Sequence, residues 1–168
     1  MMSENEKIRL LKERRSIRRY GSRPIEEEVL TEIFEATRWC WSAVNRQPWK
    51  FLVIRNKELI SKVAKECTTG TFAAEAPVLV IIVGNVEAQP NWYLQDTCFA
   101  SLQLALAAWT FGIGTCFIGN INRDKVKKLL NLNQNDYLLT VLPLGYPYGD
   151  IPEPRPRKSL EEIVEYFD

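Results

Sequence analysis

The sequence predicts a single α+β domain over residues 1–168, and three observations carry that expectation. The run VLVIIVG after Pro77 is apolar at every position, the pattern of a strand covered on both faces. Residues from about Trp92 to Phe111 form a helix that is apolar nearly all round, which places it in the middle of the protein, with Gly112 suited to stop it. Helices and strands mix without strict β-α alternation, favouring layered α+β over a doubly wound sheet. No linker, repeat or low-complexity tract divides the chain. At 168 residues it can bury roughly two thirds of the surface that its unfolded form exposes.

In chain order, Ser3 and Glu6 have capping-box spacing, and Ile8 and Leu11 give the charged helix they begin one core face, with an end near Arg14. The stretch RRSIRRYGSRP loses helical periodicity. Beyond Pro24, Ile25, Val29, Leu30, Ile33 and Phe34 recur at helical spacing, and Glu26 to Glu28 suit the positive N-terminus of that second helix. The irregular WCWSAVNRQP leads into a strand at Trp49–Ile54, rich in aromatic and β-branched residues, and then a short helix near Glu58–Lys65. After the apolar strand and the central helix come a short strand at Thr115–Ile118, a helix at Arg123–Leu130 capped by Asn122, and a strand at Leu138–Leu144. The prolines of PEPRPRKS hold the tail extended, and Ser159 with Glu162 repeat the capping-box spacing at the start of a last amphipathic helix.

Composition narrows the chemistry. The formal net charge is +1, so no global field selects nucleic acid or an acidic partner. There is no histidine, which removes Ser-His-Asp and Cys-His dyads, His-ligated metals and the commonest general base. Cys40, Cys67, Cys98 and Cys116 form no C-x-x-C pair, so no metal site is expected and reduced thiols in a cytoplasmic protein are. Met1 to Lys12 is charged and no cleavable apolar stretch comes after it. Thr97 to Asn122 lacks charge, but Gly112, Gly114, Gly119 and Gln103 interrupt it, so a buried helix is expected and no membrane span.

Two arginine clusters bracket the sequence, Arg14, Arg15, Arg18 and Arg19 near the start and Arg155 and Arg157 near the end. Guanidinium groups pair with phosphate oxygens through forked hydrogen bonds, and Ser16 adds a hydroxyl donor. Either cluster alone reads as solvated surface charge. Ser42, Asn45 and Gln47 in SAVNRQPW could present hydrogen-bonding groups to the polar edge of a heterocycle, although the stretch alone is a turn. The glycines at 112, 114 and 119 make no G-x-G-x-x-G fingerprint; Gly119 allows either a turn at a strand end or close backbone approach to a flat ligand.

Taken together, RRSIR at Arg14–Arg18, SAVNRQPW at Ser42–Trp49, the Ala76-Pro77 pair, the Asp96-led alanine-rich helix, GIGTCFIGN at Gly112–Asn120 and PRPRKSLEEIV in the tail resemble the FMN-dependent nitroreductase family. The likeness spans nearly the whole chain in the family's order. It departs at Trp41, where proline usually precedes the serine, and at Gln103, where asparagine is common. Cys67 to Thr71, where longer members often add flavin contacts, has no clear counterpart.

The resemblance implies an α+β sandwich with a central, mainly antiparallel sheet flanked by helices, built as a homodimer with FMN at the subunit interface. Carried over by position, Arg14, Arg15, Ser16 and Arg18 would hold the phosphate and ribityl end or the pyrimidine edge, and Arg155 and Arg157 would complete a phosphate clamp. Ser42, Asn45 and Gln47 resemble the loop against the flavin, contributed across the dimer, and Ile118 and Gly119 the backbone beside the reactive flavin edge. The implied activity takes reducing equivalents from NADH or NADPH to a small electron-poor acceptor, a nitroaromatic or quinone, in a ping-pong cycle. No protein acid stands out as a catalytic proton donor. Alternatives are a same-fold flavoenzyme with dehalogenating or flavin-consuming chemistry, a flavin-binding redox sensor without turnover, and, most distant, a phosphate-binding module for RNA.

Overall fold

The computed structural model describes residues 4–167, with side chains from residue 8 onward. Along the chain lie α1 (Glu4–Glu13), α2 (Glu27–Arg38), β1 (Trp49–Ile54), α3 (Lys57–Lys65), β2 (Val78–Asn85), α4 (Tyr93–Thr110), β3 (Gly114–Thr115), α5 (Arg123–Leu129) and β4 (Asp136–Gly145), with short 3-10 turns at Ala43–Asn45 and Thr71–Glu75. The four strands form one sheet in the order β1-β2-β4-β3, antiparallel at every pairing.

β2 is buried on both faces, as its unbroken apolar run requires. Leu79, Ile81 and Val83 pack with Ile60, Val63 and Ala64 of α3 on one side. Val78, Val80 and Ile82 pack with Leu30 and Ile33 of α2 and Leu104 and Ala108 of α4 on the other. The result is two cores separated by the sheet, each large apolar side chain contributing roughly 1.5–3 kcal/mol of burial. Gln103, the polar residue inside the apolar helix, donates its Nε2 to the Ala36 carbonyl at 2.6 Å and ties α4 to α2. Gly112, just beyond the end of α4, has a φ of 72°, the left-handed conformation that suits glycine.

The ladder between β2 and β4 carries a bulge: Ile82 pairs with Thr140 but Val83 pairs with Leu138, leaving Leu139 extra. Beside it the short third strand is interrupted. The expected strand at Thr115–Ile118 is regular only at Gly114–Thr115, and Ile118 returns to the sheet through a single bridge to Val141.

Two expectations change, and the Ser3–Glu6 capping box goes untested because Ser3 lies outside the described residues. The tail forms no final helix: Ser159 N–H does bond Glu162 Oε2 at 2.9 Å, but only one turn forms, at Leu160. Tyr166 and Phe167 are 86% and 87% exposed, so no apolar surface among the described residues is there to hold a helix. Finally, α4 is not enclosed all round; Phe99 and Leu102 remain 40% and 49% exposed, with Trp41 edge-on to Phe99. No helix among the described residues is long and apolar enough to cross a membrane.

Candidate cofactor site

Residues 14–21 run on from α1 as extended chain locked to the sheet. Ile17 N–H bonds the Thr115 carbonyl at 2.9 Å, Gly21 N–H bonds Tyr146 O at 2.8 Å, and Tyr148 N–H bonds Arg19 O at 3.0 Å. Ile17 and Tyr20 point into the core, and the Tyr20 hydroxyl donates to Ile17 O at 2.6 Å. Contact with β3 is so close that a Cβ on Gly114 would lie 2.4 Å from Ile17 Cγ1. The arginines of this segment therefore project from fixed backbone.

The tail meets them there. Arg14, Arg15, Ser16 and Arg18 line one cleft of about 280 Å³ together with Pro152, Glu153, Arg155 and Arg157. Arginines from the two ends of the sequence thus converge, five of them lining one cleft with one glutamate. Such a concentration of fixed positive charge suits a polyanionic group with several acceptor oxygens, and phosphate is the simplest. Arg15 has a further use: its Nε donates to Pro152 O at 3.2 Å and its Nη1 to Lys12 O and Arg14 O at 2.7 and 3.0 Å. Arg157 Nη1 donates to the carbonyls of Arg155 and Pro156. Cys116 is buried beside this segment; burial pushes its thiol up, opposed by the Arg18 charge, a Ser16 hydrogen bond and the Arg14 charge.

A second group of candidates lies on the loop between α2 and β1. Ser42 Oγ accepts the Gln47 N–H at 2.9 Å, and Gln47 Nε2 donates to Asn45 O and Oδ1 at 3.3 and 3.2 Å. Val44, Asn45 and Gln47 have φ of 53°, 54° and 48°. Left-handed backbone costs a non-glycine residue roughly 1–2 kcal/mol, so this shape must be imposed by its contacts. The principal one is Asp96, 1% exposed in the first turn of α4, whose Oδ1 and Oδ2 both accept the Ala43 N–H, at 3.0 and 3.2 Å. Its charge also adds to the burial that pushes the Cys40 thiol up. Sequence reasoning assigned Asp96 no role; an acidic residue opening an uncharged helical run was the available signal. The loop residues do not line the arginine cleft of their own chain.

Ile118 is almost fully buried and its main chain is occupied: N–H to Val141 O at 3.1 Å and to Thr140 Oγ1 at 3.2 Å, with the Thr140 hydroxyl donating to Ile118 O at 2.9 Å. Its backbone polar groups are therefore spent on β4, and its contribution is position. Gly119 is exposed; its carbonyl accepts from Arg123 Nη2 at 3.2 Å, and a Cβ there would meet nothing within 4 Å in this chain. Arg123 also donates to Leu138 O and Leu139 O, and so pins this segment to β4. No group of acidic, cysteine or histidine side chains among the described residues could hold a metal.

The sequence profile described as the nitroreductase family matches residues 11–74 and 66–146. A protein of Methanothermobacter thermautotrophicus with the provisional name NADH dehydrogenase/NAD(P)H nitroreductase is 32% identical over 152 residues, covering 87% of this chain and 80% of its own. The iodotyrosine deiodinase of Nematostella vectensis is 28% identical over 190 residues, covering 92% and 72%. The solved structure of an FMN-dependent nitroreductase from Clostridium difficile R20291 superposes with a TM-score of 0.86 at 24% identity, covering 95% of this chain and 98% of that one.

Proposed function

The chain belongs to the nitroreductase family, and from that premise we propose that it binds FMN and works as an NAD(P)H-dependent oxidoreductase on a small electron-poor acceptor. The observation that carries this reading is the convergence of Arg14, Arg18, Arg155 and Arg157, with Ser16, on one cleft. That donor set fits a phosphate monoester: charged forks for its oxygens, a hydroxyl, and backbone fixed by the sheet edge.

When bound, the flavin supplies the redox chemistry, taking reducing equivalents from NADH or NADPH and passing them to a nitroaromatic or quinone in two half-reactions. The chain's own residues bind and orient. The arginine cleft holds the phosphate end; Ser42, Asn45 and Gln47 offer amide and hydroxyl groups to the polar edge of the ring; Ile118 and Gly119, pinned by Thr140 and Arg123, supply an uncluttered backbone surface beside it. The loop comes from a second copy. Exposed Trp39 and Trp41, at 74% and 73%, and the open side of α4 give a homodimer a large apolar face to cover. Cytoplasmic residence accords with four free cysteines.

Visible spectra of the purified protein before and after anaerobic NADH and NADPH test this directly. A yellow protein bleached by either nucleotide and restored by a nitroaromatic or quinone is expected; a colourless protein that gains no flavin signal with added FMN overturns it. Dehalogenation is the second reading, favoured by the deiodinase relative. Halide release from an iodinated phenol by the reduced protein, without nitroaromatic turnover, would select it.

A further inference from the structure

We propose that Asp96 is a positioning residue for flavin binding: its carboxylate locks residues 42–47 in the shape that presents Asn45 and Gln47 to the ring, an inference that rests on the FMN reading above.

The geometry is specific. Both carboxylate oxygens converge on one main-chain N–H, that of Ala43, across 53 positions of sequence. Burying a carboxylate to 1% exposure for one amide is costly unless the environment stabilises its charge. Here Asp96 lies in the first turn of α4, where the positive end of the helix dipole favours a carboxylate. Among the described residues the carboxylate pairs with no cation. Its interaction is therefore spent on the loop.

The residues after Ala43 need that anchor. Val44 is 86% exposed and left-handed, Asn45 and Gln47 are left-handed, and the internal bonds of Ser42 and Gln47 fold the loop on itself without attaching it to the domain. Attachment comes from Asp96, helped by a longer contact from Gln89 Nε2 to Ala43 O at 3.5 Å and by Trp41 set edge-on to Phe99. Without the anchor, three residues relax toward ordinary backbone and the amides of Asn45 and Gln47 lose their orientation. Asp96 touches no ligand itself; it acts through Ala43.

Asp96→Ala and Asp96→Asn, compared with the natural chain, test the role by three readings. FMN affinity should fall about tenfold or more in Asp96→Ala, the loss expected for a charge-assisted hydrogen bond, and by less in Asp96→Asn, which keeps one acceptor oxygen. Visible circular dichroism of the bound flavin should change, and Ala43 amide exchange in the flavin-free protein should speed up. Inorganic phosphate, followed by amide shifts in the 14–18 segment, should bind as before, because the arginine cleft is untouched. Unchanged FMN affinity and dichroism overturn the proposal, as does an unchanged Ala43 exchange rate. An equal loss of phosphate and FMN binding overturns it too, by marking a general disturbance of the fold. If Asp96→Ala does not fold, Asp96→Asn decides by the same readings. Failure of the natural chain to take up FMN removes the function and this role together, whereas a silent Asp96 substitution leaves the function standing.

Discussion

The guanidinium of Arg15 joins the two ends of the chain: its Nε donates to the carbonyl of Pro152 at 3.2 Å while its Nη1 holds Lys12 O and Arg14 O. One side chain thus fastens an otherwise exposed tail beside the segment that carries Arg14 and Arg18. Lysine keeps the charge but lacks the planar fork that reaches several carbonyls at once. Arg15→Lys is therefore expected to loosen the tail and speed tryptic cleavage after Arg157 in the flavin-free protein. Cleavage at the natural rate would show that the tie is dispensable.

Replacing Arg155 and Arg157 together by alanine addresses the cleft. FMN affinity should fall about tenfold or more, since a hydrogen bond to a charged group contributes roughly 1.5–3 kcal/mol. Riboflavin, which lacks the phosphate, should bind the natural and substituted chains alike. The salt dependence of FMN binding should also become shallower as charge leaves the cleft. Fluorescence titrations at two ionic strengths check all three; an equal loss for riboflavin would assign the arginines to the fold.

Sequence patterns reported this fold well wherever local physics suffices. Trp49–Ile54 is a strand residue for residue, because five aromatic or aliphatic residues in six positions beside β2 leave little choice. The apolar run of β2 forecast burial on both faces for the same reason. The tail failed because a capping box at Ser159 and Glu162 is a local signal, whereas a short helix needs a surface to pack on, and the described residues supply none there. The double duty of Arg15 and the hold of Asp96 on Ala43 were illegible for a different reason. Each depends on a contact between segments far apart in sequence, which no spacing rule encodes.

Alkaline pH should weaken the protein through Cys67. Burial, and then the neighbouring Glu66 charge, push its thiol from 9.0 up to about 11. The folded chain holds this proton after the unfolded chain has released it. The contribution is therefore whole below pH 9 and is lost as the pH rises toward 11. Denaturant unfolding at pH values from about 8 to 11 should show a steeper fall for the natural chain than for Cys67→Ala, whatever packing the substitution costs. Parallel curves would mean that the thiol titrates alike in both states.

Thr140, at the bulge in β4, should prove to be the support of the glycine segment. Its hydroxyl accepts the Ile118 N–H at 3.2 Å and donates to Ile118 O at 2.9 Å, closing both sides of one buried residue. Valine has the same shape without the hydroxyl, so Thr140→Val deletes both bonds and creates no cavity. Val141 still bonds the same N–H and carbonyl of Ile118, which limits the loss to about 1–2 kcal/mol for two neutral hydrogen bonds. Thr140→Ser retains the hydroxyl and should keep most of the stability. Beyond the stability change, exchange of the Gly119 and Asn120 amides should accelerate in Thr140→Val alone, and FMN affinity should fall with it. Urea denaturation, amide exchange and flavin titration on the two variants separate these effects. A Thr140→Val chain that is less stable yet exchanges Gly119 and binds FMN normally would confine the hydroxyl to the core and leave Arg123 as the restraint on this segment.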